Sequence, residues 1–354
     1  MFYNAAMALD RDLHVAVTSA LAAERGGFRS GWEMLAASGV RGLRVLEESS
    51  ALGRLVSTEV APAAHAVLAE NAARYAAHGA TARRWDARDS LSGETFDWVD
   101  VDPFGSPLPF LGAALRSIED GGLLSVSATD MLVLAGVQRG AAERLYGSSP
   151  VRGRLGPEGG LRILLKAISE RADALGRSIR PRLAYVHDHY VRAYVTVAAG
   201  RGRGEDVGTV ETATWQGPPL LGGAEIGPLW LGPLLDPSLL SRVAVPETAS
   251  RAGELAALYA RWREESSVDV PFYYESNSLA HEAGLPAPPP VGWLVDRLVG
   301  SGHRAARSAA RPGAFRTDAP RGALYALARD WPGSGTPTPR PAPEVPPSPS
   351  SGIR

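Results

Sequence analysis

Short apolar segments alternate with helical segments along the first third of the chain, and this alternation restricts the fold more than any other feature. The apolar segments lie at residues 32–36, 55–58, 81–85, 96–101 and 123–128. Helical patterns lie between them, as at residues 61–77, where Val67, Leu68 and Tyr75 share one face. A strand–helix–strand repeat of this kind indicates parallel strands in one sheet. The sequence therefore predicts an α/β fold with a doubly wound, mostly parallel sheet.

The fourth apolar segment ends in Asp102-Pro103-Phe104-Gly105, a turn through which no strand can continue. Sheets of this class bind their ligands at the carboxyl ends of the strands. Asp102 is therefore the first candidate site residue. A structural acid that caps the strand is the alternative that the tetrapeptide alone leaves open.

Asp102-Pro103-Phe104 resembles the (Asn/Asp/Ser)-Pro-Pro-(Tyr/Phe) signature of amino-methyltransferases, which use S-adenosylmethionine (SAM) to methylate exocyclic nitrogens. The resemblance implies that the Asp102 carboxylate accepts the N–H bonds of the amine and stabilises the charge that develops during attack. Pro103 would direct its own carbonyl at the same amine, and Phe104 would stack on the base. Placement of the amine, rather than a covalent intermediate, would supply most of the catalysis.

Polar residues also follow the first three strands. The loop at residues 38–42 contains Ser38, Gly39 and Arg41, and its glycines let backbone N–H groups approach a nucleoside. Its spacing is not G-x-G-x-x-G, which disfavours a dehydrogenase. Glu59 ends the second strand 20 residues after Gly39, a position suited to ribose hydroxyls. Asp86 ends the third strand, where an acid can reach the adenine amine; a helix cap for residues 89–91 is its alternative.

The composition excludes several classes of protein. The 354 residues suffice for a catalytic domain and a second domain. Because there is no cysteine, disulfides, cysteine-ligated zinc, iron–sulfur clusters and a thiol nucleophile are excluded. A net charge of −1 neither favours nor excludes nucleic acid as a partner. We see no secretory signal and no apolar run of membrane length, so we expect a cytoplasmic protein with no membrane contact.

Residues 182–186 and 190–197 are predicted as two final strands that flank His187-Asp188-His189. Two histidines beside an acid are compatible with a metal site, but no third ligand lies nearby in the sequence. A hairpin turn beside the active site is favoured, and no metal is predicted.

The character of the chain changes from about residue 201. Residues 297–329 contain seven arginines, with Phe315 and Tyr325 between them. Arginines interleaved with aromatic residues suit RNA, although a solvated charged face is the alternative. The candidate phosphate contacts are Arg304, Arg307, Arg311 and Arg316. The predicted organisation is a methyltransferase domain at 1–235, a smaller α+β domain for RNA at 236–331, and a disordered tail rich in proline and serine at 332–354.

Together these residues resemble the tRNA (guanine(26)-N2)-dimethyltransferase family of class I SAM-dependent enzymes, from residue 2 to about residue 330. The segments that carry the resemblance are 2–4 with 7–12, 37–44, 100–107, 128–130, 161–165, 188–190 and 227–234. The resemblance implies methylation of the N2 amine of one guanine in tRNA, once or twice. Phe2, Arg11, Arg41 and Asp102 would help to hold SAM, with Glu59 on its ribose and Asp86 on its adenine.

The chain departs from the family pattern at several positions. Ala5 replaces a proline after Asn4, and Pro157-Glu158 replaces His-Glu. The segment that usually precedes Phe2-Tyr3-Asn4 is absent, which leaves a start further upstream open. Two other functions stay open as well: an amino-methyltransferase for another base or another RNA, and a degenerate RNA-binding homologue without catalysis. We expect a monomer that binds tRNA through its C-terminal domain.

Overall fold

A computed structural model describes residues 7–49, 51–91, 93–202 and 204–334. Strands and helices alternate in its N-terminal part, as the sequence predicts. The strands are β1 (Gly31–Glu33), β2 (Leu55–Glu59), β3 (Ala80–Arg84), β4 (Phe96–Val101), β5 (Ile118–Ala128), β6 (Arg177–His187) and β7 (Tyr190–Ala199). The helices are α1 (Ala8–Arg25), α2 (Val40–Glu48), α3 (Pro62–Arg74), α4 (Leu108–Ser117), α5 (Met131–Leu134), α6 (Arg139–Tyr146) and α7 (Gly156–Ala174).

These seven strands form one sheet in the order β3-β2-β1-β4-β5-β7-β6. β1 pairs in parallel with both β2 and β4, so the strand order reverses between β1 and β4. Only β7 runs against its neighbours among these strands, since it is antiparallel to both β5 and β6. The predicted doubly wound, mostly parallel sheet is confirmed. Its ligand crevice is expected beyond the carboxyl ends of β1 and β4.

The central strand β4 is buried along its whole length. Val99 and Val101 belong to the apolar cluster that contains α4 and α7, whereas Trp98 belongs to the cluster that contains α1. Both faces of the sheet are thus covered, which explains why this segment is apolar almost throughout. Each large side chain buried in this way stabilises the fold by roughly 1.5–3 kcal/mol.

Two element boundaries beside the crevice differ from the sequence prediction. β1 ends at Glu33 rather than at residue 36, although the Ala36 N–H still donates to the Thr58 carbonyl (3.0 Å). α2 begins at Val40 rather than near residue 43, because Gly39 takes a left-handed conformation (φ 77°) and serves as its N-cap. The loop is therefore shorter than predicted, and Arg41 lies in the first turn of α2.

After the sheet, β8 (Val207–Glu211) and β9 (Glu225–Trp230) form an antiparallel pair, followed by α8 (Pro237–Leu240) and α9 (Ala252–Glu265). Leu239, Leu255 and Trp262 of these helices share an apolar cluster with α1. α8 and α9 therefore pack on the N-terminal domain. The boundary between residues 235 and 236 stays a prediction.

The C-terminal domain has its own core, which begins at about residue 274. Its antiparallel sheet has the order β10-β12-β11, and three helices accompany it. The elements are β10 (Tyr274–Glu275), α10 (Ser276–Ala283), α11 (Val291–Gly300), β11 (Ala305–Arg307), β12 (Ala314–Thr317) and α12 (Arg321–Arg329). Leu279, Leu294, Leu298, Phe315 and Leu324 pack together inside it. This is the predicted smaller α+β domain; most of the predicted tail, residues 335–354, lies outside the described residues.

None of the helices named above combines the length and the apolar character that a membrane span requires.

Candidate active site

The turn between β1 and α2 is closed by the carboxylate of Glu59, at the end of β2. Ala37 and Gly39 have positive φ angles of 49° and 77°, which turn the chain sharply before α2. Glu59 Oε2 accepts from the Ala37 N–H (3.2 Å), and Oε1 accepts from the N–H groups of the next two residues (2.9 and 3.1 Å). Since a carboxylate has about four acceptor positions, Oε2 keeps capacity for a ligand hydroxyl.

Asp86 lies two residues beyond β3, on the same edge of the sheet as Glu59, because β2 and β3 pair in parallel. It accepts hydrogen bonds from the backbone N–H and the Nε of Arg88, both at 3.0 Å. The hydrogen bonds from Arg88 lower the pKa of Asp86 to about 2. A carboxylate that is ionised at neutral pH therefore stands at this strand end, one-third exposed.

Arg41 joins two aspartates that are far apart in the sequence. Its Nη2 donates to Asp102 Oδ2 and its Nη1 donates to Asp10 Oδ2, each at 2.6 Å. The hydroxyls of Tyr185 and Tyr190 donate to the other oxygen of Asp10, each at 2.9 Å. Asp10 is therefore part of this site. It lies in the first turn of α1.

Arg192, on the reversed strand β7, is fully buried and forms the second cationic centre. Its Nη2 donates to Asp100 Oδ1 and its Nη1 donates to Ser127 Oγ, each at 2.6 Å. The same Nη1 lies 3.7 Å from Asp102 Oδ1. Nη2 also lies 3.0 Å from His14 Nδ1. Strand β7 thus supplies a charge that orients the end of β4.

This acidic cluster consists of Asp10, Asp100, Asp102, Arg41 and Arg192. Three carboxylates face two guanidinium groups, so one negative charge remains when all five are ionised. Burial raises the pKa of Asp10, but Arg41 and Arg192 outweigh it and hold that pKa well below its usual range. At Asp100 burial dominates and raises the pKa despite Arg192. The carboxyl end of β4 therefore carries an excess negative charge only while Asp100 is ionised, and in that state it suits a cationic ligand.

The loop after β4 combines a carboxylate with an exposed aromatic ring. Pro103 is buried, whereas Phe104 is 89% exposed. Gly105 (φ 89°) turns the chain; its N–H donates to Thr129 Oγ1 (2.7 Å) and its carbonyl accepts from the Thr129 N–H (3.0 Å). The Asp102 side chain is 31% exposed. Its Oδ1 makes no hydrogen bond to the described residues, so this oxygen can accept one from a substrate.

Two residues implied by the family resemblance are less well defined. Arg11 lies on α1 between Asp10 and Asp12, and it is buried. Phe2 lies outside the described residues. A role for either residue in holding SAM stays a prediction.

Three of the four arginines predicted to bind RNA lie at the surface. The Arg304 side chain is 56% exposed and pairs with Asp318 (2.9 Å). Arg307 is exposed on β11. Arg311 is 52% exposed, and its Nη1 lies 3.7 Å from Glu275. These guanidinium groups can reach a phosphate, so their role stays a prediction.

Arg316 differs from the other three, because it is buried where the two domains meet. Its Nε donates to Glu265 Oε1 (2.6 Å) and its Nη2 donates to Glu158 Oε2 (2.9 Å). Glu158 also pairs with Arg162 of α7 (2.8 Å). Burial raises the pKa of Glu158, but the two arginines outweigh it and lower that pKa to about 2. Two buried carboxylates thus hold the guanidinium group of Arg316, a geometry that gives no support to a contact with tRNA, and that contact stays a prediction.

A cavity of about 460 Å³ lies beside this ion cluster, between the two domains. Tyr185, Trp262, Asp188 and Arg311 are among its lining residues. The predicted hairpin is confirmed here, since β6 ends at His187 and β7 begins three residues later. Within the described ranges, no group of three or more histidine and acidic side chains could hold a metal ion.

The strand order with one reversed strand, and the carboxylates at the ends of β2, β3 and β4, define the class of Rossmann-like methyltransferases. The family model of N2,N2-dimethylguanosine tRNA methyltransferases matches residues 1–215 and 222–329. The chain belongs to this family.

Relatives and a solved structure agree with this assignment. The tRNA (guanine(26)-N(2))-dimethyltransferase of Thermococcus kodakarensis is 31% identical over 352 residues, which cover 92% of each chain. The protein of the same name from Pyrobaculum neutrophilum is 33% identical over 327 residues, 90% of this chain and 89% of that one. The structure of Trm1 from Pyrococcus horikoshii with S-adenosyl-L-methionine is 27% identical. The match covers 92% of this chain and 94% of the Trm1 chain, with a TM-score of 0.77.

Proposed function

We propose that this protein transfers methyl groups from SAM to the exocyclic N2 amine of guanine 26 in tRNA, once and then a second time. The family match and the relatives named tRNA (guanine(26)-N(2))-dimethyltransferase support this reaction. The similar Trm1 structure, which contains S-adenosyl-L-methionine, supports the methyl donor. A location in the cytoplasm and a monomeric state belong to the same proposal.

The observation that carries the proposal is the state of the Asp102 carboxylate. Arg41 holds Oδ2 at 2.6 Å, while Oδ1 makes no hydrogen bond to a described residue and the side chain is 31% exposed. One oxygen is thus fixed and the other is available. A fixed acceptor beside a reacting amine is the arrangement that stabilises charge as it develops.

The residues present also fit SAM. Glu59, with spare acceptor capacity on Oε2, suits the ribose hydroxyls. Asp86 would accept from the adenine amine in exchange for part of its contacts with Arg88. The acidic cluster has one more carboxylate than guanidinium groups, which suits a sulfonium cation. When bound, SAM supplies an electrophilic methyl group.

The chain's own residues then have distinct tasks. Asp102 Oδ1 accepts an N–H of the guanine amine and orients its lone pair. As the nitrogen attacks and gains positive charge, the fixed carboxylate stabilises it more than the neutral ground state. After the transfer the methylated nitrogen must lose one proton, which it can pass to Asp102 Oδ1 and on to solvent, since the side chain is 31% exposed. The exposed ring of Phe104 offers a face on which the extruded base can stack.

The surface arginines Arg304, Arg307 and Arg311 would hold phosphates of the tRNA while the base is extruded. Their exposure and the absence of short ion pairs at Arg307 and Arg311 among the described residues support this role. Arg311 also lines the cavity between the domains, near the turn after β6.

The direct test is to incubate the protein with SAM and unmodified tRNA transcripts and to identify the nucleosides by mass spectrometry. We expect N2-methylguanosine followed by N2,N2-dimethylguanosine at position 26. A transcript with adenine at position 26 is the control and should remain unmodified. Methylation of another base or at other guanines would support a different amino-methyltransferase. SAM binding without any methylated nucleoside would support a degenerate homologue and contradict the proposal.

A further inference from the structure

Asp130 is a half-buried carboxyl group at the end of β5 to which the proposed mechanism gives no task. It follows Thr129, which exchanges two hydrogen bonds with Gly105 of the Asp102 loop. β4 and β5 are parallel neighbours, with Val101 opposite Val126. Asp102 and Asp130 therefore extend from adjacent strand ends at the same edge of the sheet.

One oxygen of Asp130 is held by a short chain of hydroxyl groups. The Tyr146 hydroxyl donates to Asp130 Oδ2 (2.8 Å) and lies 2.8 Å from Ser106 Oγ. Because the tyrosine proton is used by Asp130, Ser106 must donate to Tyr146. Tyr146 is buried, so its ring cannot move freely. This chain fixes the orientation of the carboxyl group relative to the Asp102 loop, from which Ser106 comes.

The other oxygen, Asp130 Oδ1, is buried and has no hydrogen-bond partner in the part of the chain that the structure describes. A buried acceptor without a donor costs roughly 1–3 kcal/mol, more when it is charged. Among the described residues no arginine or lysine pairs with Asp130, in contrast to Asp10, Asp100 and Asp102. Burial raises the pKa of Asp130, although the hydrogen bond from Tyr146 opposes the shift. The site thus lacks one donor, and a neutral N–H group would complete it.

The target base carries such a donor next to the reacting amine. Guanine presents N1–H and the N2 amine side by side on its Watson–Crick edge, which is the edge that base-extruding enzymes bind. Phe104 and Leu132, which are 89% and 60% exposed, lie within two residues of Gly105 and Asp130. They provide the apolar surface that an extruded base requires.

We propose that Asp130 determines the choice of base by accepting the N1–H of the target guanine while Asp102 accepts from its N2 amine. Tyr146 is then a positioning residue that holds Asp130 in place. The inference rests on the proposed function. It adds a specificity determinant that rejects purines in which N1 is an acceptor, because a carboxylate facing a lone pair is repelled and left without its hydrogen bond.

The test compares tRNA transcripts that carry guanosine or 2-aminopurine riboside at position 26. Both bases have the 2-amine, but N1 of 2-aminopurine is an acceptor. We expect the kcat/KM of the wild-type protein to be about 10²–10⁴-fold higher for the guanosine transcript than for the 2-aminopurine transcript. This is the usual effect of losing one hydrogen bond in a site that is built to form it. Asp130→Asn can donate to N1 of 2-aminopurine through its amide. This variant should reduce the ratio of kcat/KM for the guanosine transcript to kcat/KM for the 2-aminopurine transcript at least tenfold, mainly by slowing the methylation of guanosine.

The controls separate specificity from structural damage. Asp102→Asn should lower both rates by a similar factor and leave the ratio unchanged, because both substrates carry the 2-amine. Tyr146→Phe keeps Asp130 but removes the hydroxyl that donates to it. It should reduce the ratio of the two kcat/KM values less than Asp130→Asn does. SAM affinity measured by calorimetry checks that each variant is folded.

Equal losses on both substrates in Asp130→Asn and Tyr146→Phe would overturn this inference and leave the proposed function intact. A wild-type protein that does not discriminate between the two transcripts would overturn it as well. A wild-type protein that methylates neither transcript would contradict the proposed function and this inference together.

Discussion

Replacement of Arg316 by methionine tests whether this residue joins the two domains or contacts RNA. Methionine keeps most of the apolar volume of the arginine stem but removes the charge. Removal of one partner from a buried ion pair typically costs about 3–5 kcal/mol, because the opposite charge is left unpaired. Glu158 would retain Arg162 (2.8 Å), and Glu265 would retain the Ser308 hydroxyl (2.6 Å). We therefore expect the lower end of the range, about 3 kcal/mol.

Urea unfolding followed by tryptophan fluorescence measures this loss, and a tRNA titration at several salt concentrations measures binding. Arg304→Met is the matched control, since Arg304 is 56% exposed and pairs only with Asp318 among the described residues. An exposed pair contributes about 0–1 kcal/mol, so its stability should hardly change while its tRNA affinity falls. Adding Glu265→Gln to Arg316→Met removes one of the unpaired charges and should restore part of the stability.

A structural role for Arg316 is contradicted if Arg316→Met unfolds at the same urea concentration as the wild-type protein and binds tRNA with a lower affinity and a lower salt dependence. That result would mean that the guanidinium group contacts a phosphate.

Three further predictions follow from the site and the surface. Glu59→Ala should weaken SAM binding by one to two orders of magnitude, the equivalent of about 1.5–3 kcal/mol for hydrogen bonds to a charged group; calorimetry that gives wild-type affinity would remove Glu59 from the site. Joint replacement of Arg304, Arg307 and Arg311 by alanine should raise the tRNA dissociation constant, lower its salt dependence and leave SAM affinity unchanged. If the salt dependence of tRNA binding does not change, these arginines form only a solvated charged face. Burial raises the pKa of Glu33 from 4.5 to about 7, although the Gly42 N–H and the Ser57 hydroxyl oppose the shift. The folded state then keeps a proton that the unfolded chain releases, so this group should lower the unfolding free energy by about 3 kcal/mol as pH rises from about 4.5 to 7. Glu33→Gln should remove that part of the pH dependence, and identical pH profiles for the two proteins would contradict the assignment.

The sequence was sufficient for the parts of the site that follow from strand order. Glu59, Asp86 and Asp102 end successive parallel strands, and a doubly wound topology brings such ends to one edge of the sheet. Apolar runs and turn residues reveal strand ends directly, so these positions could be predicted without coordinates.

Contacts that depend on packing could not be predicted. Arg192 reaches Asp100 because β7 inserts antiparallel beside β5, a pairing across 92 residues that no spacing rule indicates. Asp100 therefore has a buried partner. Asp10 has a role that only the tertiary contacts with Tyr185 and Arg41 reveal.

Arg316 shows that composition alone does not tell a buried arginine from a surface arginine. It lies in a run of seven arginines with no acid closer than Asp318, yet its partners Glu158 and Glu265 come from two distant helices. Helices α8 and α9 likewise follow a composition change and yet pack on α1. Charge counts along a sequence do not distinguish a surface patch from a buried interface.

The most direct test of the account is single-turnover methylation of tRNA by Asp102→Asn at saturating SAM. Asparagine keeps the shape and one acceptor but removes the charge that is paired with Arg41. Asp97→Asn is the control, since Asp97 lies on the same strand, at the opposite end, and pairs with Arg25. We expect the methyl-transfer rate to fall by about 10²–10³ in Asp102→Asn, the scale for one preorganised electrostatic partner, with SAM and tRNA affinities little changed. A wild-type rate in Asp102→Asn would contradict the central claim that this carboxylate stabilises the attacking amine.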